Sequence, residues 1–213
     1  MNRRPLICFL VLFVVAVGNA SAQSPEWRYG GRLSWVDSGT TSEELGDSGT
    51  MLDLDSGLGI EFDATVLFSD IFGVELSVGT TAPRLRLIGD GDSIDGGRVW
   101  LVPLTAIAQY HHPVYGPWDP YIGLGISWTA PFYSLSTDLK DAGVERLEFE
   151  GELSGVAQLG TNYQVDNRWY VNIDLRYFSA SLEAQMRTED GDLPTVTLDT
   201  KPVVFSLGIG YKF

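Results

Sequence analysis

Val203-Val204-Phe205-Ser206-Leu207-Gly208-Ile209-Gly210-Tyr211-Lys212-Phe213 ends the chain, and its reading decides the fold. Val203, Phe205, Leu207, Ile209, Tyr211 and Phe213 fall on one face of a strand, because successive strand side chains point to opposite faces. Val204, Ser206, Gly208, Gly210 and Lys212 fall on the other. The first face is greasy or aromatic and the second is mostly polar or very small. A strand in a water-soluble sandwich also alternates, with its apolar face turned to a core. Here the alternation recurs in several segments, and small and charged residues occupy the opposite face each time. The pattern suits a closed sheet with lipid outside and a polar lumen inside, a transmembrane β-barrel.

The head of the chain reads as a secretory signal over residues 1–22. Arg3 and Arg4 make a basic start, Leu6 to Val17 is an apolar run of 12 residues, and Ala20-Ser21-Ala22 is a small-x-small cleavage site. The run is short of the roughly 20 apolar residues that a spanning helix needs. Cys8 is the sole cysteine and lies inside this segment. The barrel, expected over residues 23–213, therefore has no disulfide, thiol chemistry or cysteine-based metal site. The chain carries 14 basic and 28 acidic residues, and cleavage after Ala22 removes Arg3 and Arg4 without removing an acid. Such a surface argues against nucleic acid as a partner. With no second long apolar stretch, a membrane protein must cross with a barrel, because backbone groups in lipid need internal partners.

Eight candidate strands follow: Trp27–Val36, Met51–Phe68, Ile71–Thr81, Arg98–His111, Pro120–Thr129, Glu148–Val165, Trp169–Phe178 and Val196–Phe213. In the second, Leu58, Ile60, Phe62, Ala64 and Val66 face out against Gly59, Glu61, Asp63 and Thr65. In the third, Phe72, Val74, Leu76 and Val78 oppose Gly73, Glu75, Ser77 and Gly79. The seventh is the cleanest internal case, with Val171, Ile173, Leu175 and Tyr177 alternating with Asn172, Asp174 and Arg176. The fourth has apolar residues on both faces, and Val102, Leu104, Ala106, Ala108 and Tyr110 are assigned outward.

Connections alternate between tight turns (Ser69-Asp70, Asp166–Arg168), with 112–119 somewhat longer, and long links (37–50, 82–97, 130–147, 179–195). Short periplasmic turns and long outer loops are usual in these barrels. With eight strands, both termini are expected on the periplasmic side. Aromatics collect near strand ends, where rings with a polar handle settle at the membrane interface. Trp27, Phe68, Phe72, Tyr110, Tyr163, Trp169, Tyr211 and Phe213 are assigned to a periplasmic girdle. Trp35, Trp100, Trp128, Phe132 and Phe178 are assigned to the outer rim.

Several segments together resemble the outer-membrane protein W (OmpW) family, which includes alkane-uptake relatives. They are Gly73-Val74-Glu75-Leu76-Ser77 with Thr80-Thr81-Ala82-Pro83; Pro103-Leu104-Thr105 with Ala108-Gln109-Tyr110; and Pro120-Tyr121-Ile122-Gly123-Leu124-Gly125-Ile126. Gly160-Thr161-Asn162-Tyr163, Trp169-Tyr170-Val171-Asn172 and the ending Gly208–Phe213 follow in order. The resemblance implies a monomeric eight-stranded barrel in a Gram-negative outer membrane, in contact with lipid and lipopolysaccharide. It implies passage of small hydrophobic molecules. It also implies that the barrel-assembly machinery recognises the terminal strand, through Phe205, Leu207, Ile209, Tyr211 and Phe213.

The lumen is expected to hold a polar network of Glu61, Asp63, Glu75, Asn172, Asp174 and Arg176. An eight-stranded barrel is filled by its side chains and leaves little open pore, and unpaired charges there would be costly. Mutual neutralisation is the first reading of the network and transport gating the second. A hydrophobic solute would then enter from the outer loops and leave sideways into lipid. Leu85, Leu87, Ile88, Trp100, Trp128, Phe132 and Tyr133 sit where a loop pocket would form. Asp90, Asp92 and Asp95, set among glycines, miss the EF-hand spacing and read as a solvated loop, with weak divalent binding as the alternative. His111 and His112 are the only histidines, point to opposite faces and fall at the periplasmic end. A serine hydrolase of the outer leaflet would need a base in the outer half, so the chain is not read as an enzyme. No cofactor or metal is implied. The rival function is structural: a closed barrel that stabilises the membrane or presents acidic loops to a partner.

Overall fold

The computed structural model describes residues 24–41, 51–89, 92–135, 144–149, 151–188, 191–192 and 196–213. The signal expected over 1–22 lies outside them. Eight strands form the wall: β1 (Glu26–Asp37), β2 (Gly57–Leu67), β3 (Phe72–Thr81), β4 (Asp92–His111), β5 (Trp118–Leu135), β6 (Glu152–Gln164), β7 (Trp169–Thr188) and β8 (Val203–Lys212). Each pairs antiparallel with the next in the chain. β8 then pairs with β1, from Arg28↔Lys212 to Asp37↔Val203, and closes the ring.

Burial is inverted relative to a water-soluble domain. Leu58 and Leu124 are 80% and 72% exposed, whereas Asp174 and Arg176 are 0% and 1% exposed. The outward face of every barrel strand is apolar, which is stable only against hydrocarbon. The phase assigned to each strand from its alternation holds, including the ambiguous β4, where Val99, Thr105, Ile107, Gln109 and His111 are buried and Leu104 and Tyr110 are exposed.

Three expected strands are each interrupted. Met51–Phe68 breaks at Asp55-Ser56, and Met51–Leu54 pairs instead with a separate strand, Arg84–Gly89. Glu148–Val165 breaks before β6, and Val144–Phe149 pairs with the far end of β7. Val196–Phe213 breaks at Lys201-Pro202, since proline has no N–H to give a ladder. The Pro202 carbonyl still accepts the Phe178 N–H at 3.0 Å. The expected long links are thus partly strand: Arg84–Gly89 pairs with the start of β4, and Val196–Thr200 with Ala180–Ala184 of β7. Asp92 and Asp95, read as loop, lie in β4, where Gly97 (φ 99°) sits at a register shift. Their Asp/Gly content mimicked a loop. A hairpin projecting beyond the bilayer meets water on both faces, so it carries no apolar stripe to announce it.

The aromatic ends pack edge to face around the rim that carries both described termini. Tyr29 meets Phe213 at 5.4 Å, Phe213 meets Tyr211 at 4.8 Å, Tyr211 meets Trp169 at 5.0 Å and Trp118 meets Tyr163 at 4.8 Å. One girdle assignment is corrected. Phe178 has the inward parity of Arg176 and is buried beside Ile107 and Val156, so it fills the lumen and does not face the outer interface. At the turns, the Asp166 carboxylate accepts the N–H groups of Trp169 (2.8 Å) and Arg168 (2.7 Å). Those two bonds, Trp169's first, hold its pKa below the ordinary carboxylate value.

The wall has one internal gap among its eight described seams. Between β3 and β4 the ladder runs to Val78↔Leu104 and resumes at Thr81↔Leu101, so Gly79 and Thr80 have no partners opposite Pro103 and Val102. Pro103 has no donor to offer there.

Leu124 lies midway along the membrane-crossing part of β5 with its side chain outward. We expect Leu124→Arg to destabilise the barrel by about 2–4 kcal/mol, and Tyr115→Arg in the exposed turn to be near neutral. Denaturant titration in lipid vesicles, read by heat-modifiable gel mobility, measures both.

Candidate functional site in the barrel lumen

The strand parities bring charged side chains from four strands to one level of the lumen. Arg32 of β1 and Glu61 of β2 are directly paired in register. Arg32 donates from Nη1 to Glu61 Oε1 (3.0 Å) and grips Glu75 of β3 with both terminal nitrogens, at 3.0 and 2.7 Å. Its Nε lies 3.4 Å from Asp63 Oδ1. Arg176 of β7 reaches across the lumen from the opposite wall. It donates to Glu61 Oε2 (2.6 Å) and Glu75 Oε1 (2.7 Å), and its Nε sits 2.9 Å from Asp174 Oδ1. The last contact is an ion pair without a hydrogen-bonding angle. Two guanidiniums thus meet four carboxyl groups, and each guanidinium touches three of them.

A layer of neutral polar groups closes the cluster from the turn side. Gln109 donates to Glu75 (2.9 Å) and to Gln158 (3.0 Å). Gln158 and Tyr121 both donate to Asp174 Oδ2 at 2.8 Å. Asn172 donates to the Tyr121 oxygen and to Asn162, each at 2.8 Å. Below them, Asp119 binds Arg28 (2.5 Å) and lies 2.8 Å from His111 Nδ1. Tyr121 and Tyr170 fit because each is directly opposite a glycine, Gly160 and Gly210, whose missing Cβ leaves room for the ring. The space left among these residues is about 10 Å³, roughly one water. The lumen is therefore plugged at this level for anything larger.

Above the cluster, toward the long hairpins, lies a cavity of about 100 Å³. Its walls are apolar (Leu54, Pro83, Leu101, Pro103, Phe178, Pro202 and Val204) and its floor is Glu61 with Arg176. Ser34, Ser38 and Thr81 supply hydroxyls. The lining also takes in Gly79 and Thr80 at the gap in the β3–β4 ladder, and Ile60, whose side chain faces outward. The cavity thus reaches the wall where the wall is unpaired.

The residues expected in the network (Glu61, Asp63, Glu75, Asn172, Asp174 and Arg176) are all buried in the lumen. Arg32, Gln109, Tyr121 and Gln158 are also part of it; their inward parity was the available signal. Of the residues expected to line a loop pocket, three have described side chains. Trp100, Trp128 and Phe132 face outward, with Trp100 paired to Phe132 across the β4–β5 seam, and none of them lines the cavity. The side chains of Leu85, Leu87, Ile88 and Tyr133 lie outside the described residues. The outward strand face of Phe205, Leu207, Ile209 and Phe213 is exposed, and Tyr211 sits among the girdle rings.

Comparison with known proteins matches residues 35–213 to the model of the OmpW family. The chain is 30% identical over 170 residues to the uncharacterized outer-membrane protein y4mB of Sinorhizobium fredii, covering 79% of this chain and 71% of that one. It is 27% identical over 158 residues to the dibenzothiophene metabolism operon protein PahQ of Pseudomonas aeruginosa, covering 72% and 71%. Its fold matches the crystal structure of the outer membrane protein OprG from Pseudomonas aeruginosa with a TM-score of 0.82, at 23% identity, over 90% of this chain and 97% of that one.

Glu75 binds both guanidiniums and two glutamines. Removing it leaves two buried cations short of partners, and Glu75→Ala is expected to cost about 3–5 kcal/mol. The half-exposed Arg86–Asp55 pair (2.6 Å) should cost about 1 kcal/mol or less on Arg86→Ala. The midpoint of urea unfolding in detergent micelles separates the two.

Proposed function

Because the chain belongs to the OmpW family of outer-membrane barrels, we propose that it eases entry of small hydrophobic molecules by capture at the loop end and lateral release into the bilayer. One observation carries this reading. The apolar cavity ends below on a charged plug and borders, at its side, the gap between Thr80 and Val102. A solute that enters from the hairpins meets ion pairs ahead and an unpaired seam beside it. Moving an apolar body through buried charges is costly, whereas the lateral path leads into hydrocarbon. The route therefore follows the gradient of polarity and needs no open pore. The name of PahQ, which ties that relative to dibenzothiophene metabolism, places it beside an aromatic, water-poor compound of the class this route suits.

The same plug supports the expectation that ions and sugars do not pass. No catalytic role belongs to this reading. Residues 1–22 would direct export, and the terminal strand with Phe213 would be read by the barrel-assembly machinery. A non-transporting barrel that stabilises the membrane is the second reading, favoured by the filled lumen alone.

Uptake of a labelled medium-chain hydrocarbon and of a small sugar, in cells with and without the protein, tests the proposal. We expect faster hydrocarbon entry and unchanged sugar entry; equal hydrocarbon entry in both strains overturns it. Pro103→Ala restores a donor at the gap, and one added hydrogen bond should slow the hydrocarbon gain about fivefold in equally assembled barrels.

A further inference from the structure

The floor of the cavity is polar while its walls are not, and its polarity has a direction. Of the four carboxylates in the cluster, Glu61 alone lines the cavity. Each of its oxygens takes one guanidinium hydrogen, Oε1 from Arg32 and Oε2 from Arg176. A carboxylate oxygen has a second lone pair, so Glu61 keeps capacity to accept. Of the hydroxyls above it, Ser38 donates to the Asp55 carbonyl (2.9 Å), Thr81 donates to the Leu58 carbonyl (3.2 Å), and Ser34 shares a hydrogen bond with Ser206 (2.9 Å). Their oxygens remain as acceptors. Arg176, the one cation of the lining, is held by Glu61, Glu75 and Asp174. The site thus offers acceptors at its base, hydrocarbon contact on its walls, and no guanidinium without a carboxylate already bound.

We propose that Glu61 makes this cavity selective for solutes with a hydrogen-bond donor at one end of an apolar body, such as medium-chain alcohols, over alkanes and over carboxylates of equal length. The inference rests on the transport reading above. A hydroxyl donates to Glu61, and its first carbons lie between Pro103, Leu101 and Phe178. An alkane leaves the acceptors without a donor. A carboxylate brings a second anion against Glu61 with no unbound cation to meet it, and like-charge juxtaposition of that kind is costly. The volume of about 100 Å³ is smaller than the roughly 150 Å³ that holds a benzene ring. It therefore takes the head and the first carbons, with the tail extending toward the hairpins or the gap.

The test measures entry of labelled octanol, octane and octanoate into cells, each as the increment over cells lacking the protein. Wild type should favour octanol over octane by about tenfold, the lower end of the worth of one hydrogen bond to a charged acceptor, and octanoate should gain least. In Glu61→Gln the octanol-to-octane ratio should fall toward one, and Glu61→Asp, which withdraws the carboxylate by one methylene, should lower it too. Ratios are independent of how much barrel assembles, and folded protein is checked by heat-modifiable mobility. If a variant fails to assemble, the wild-type series still decides. Equal gains for octanol and octane, or an octanoate gain matching octanol, overturn the selectivity while leaving transport standing. An octanol-to-octane ratio unchanged in both assembled variants removes Glu61 from the account. No gain for any of the three overturns the transport reading itself.

Discussion

A peptide N–H or C=O placed in hydrocarbon without a partner costs several kcal/mol, and the architecture follows from that constraint. A sheet satisfies it only by having no edge, so β8 must return to β1. Eight strands then set a radius at which side chains from opposite walls touch. Arg176 can reach Glu61 and Glu75 across the lumen for that reason. The ion cluster is a consequence of closure at this radius as much as of the charges themselves. It also explains why a two-pair lapse in the β3–β4 ladder is notable: it is the place where the wall departs from the rule that built it, and there the cavity borders it.

The interior divides into a plug and a cup. The plug gathers the buried charged side chains of the described lumen, Arg32, Glu61, Asp63, Glu75, Asp174 and Arg176 among them, with little space left between them. The cup above it is bounded by prolines at two strand breaks, Pro83 and Pro202, by Pro103 at the ladder gap, and by Phe178. Proline removes donors that would otherwise need partners, so an apolar cavity lined by irregular backbone is tolerated there. The two halves are complementary. The plug denies passage along the axis, and the cup meets the wall at its weakest seam.

Much of this was legible in residue order. Strand number, phase and closure follow from alternation, because lipid outside and polar packing inside impose opposite chemistry on successive residues. β7 shows it best, with Asn172, Asp174 and Arg176 in and Ile173, Leu175 and Tyr177 out. What failed was tied to places where that imposition ceases. Beyond the membrane both faces meet water, so Arg84–Gly89 and the start of β4 looked like loops. Phe178 was assigned to the interface by its chemistry when its parity already put it inside. Trp100, Trp128 and Phe132 share the outward parity and do not line the cavity. The cavity was not legible, since it depends on which side chains from non-neighbouring strands fail to fill a shared space.

The position of Arg176 bears on closure. Its partners Glu61 and Glu75 lie on β2 and β3, and it stands on β7, across the lumen from them. Until the sheet curls, Glu61 and Glu75 lack that cation and the nascent concave face needs water. Neutralising the lumen and sealing the ring are then parts of one cooperative event. A half-built barrel would hold a wet, acidic trough that hydrocarbon cannot enter, which keeps the unfinished sheet from burying its wrong face in the bilayer.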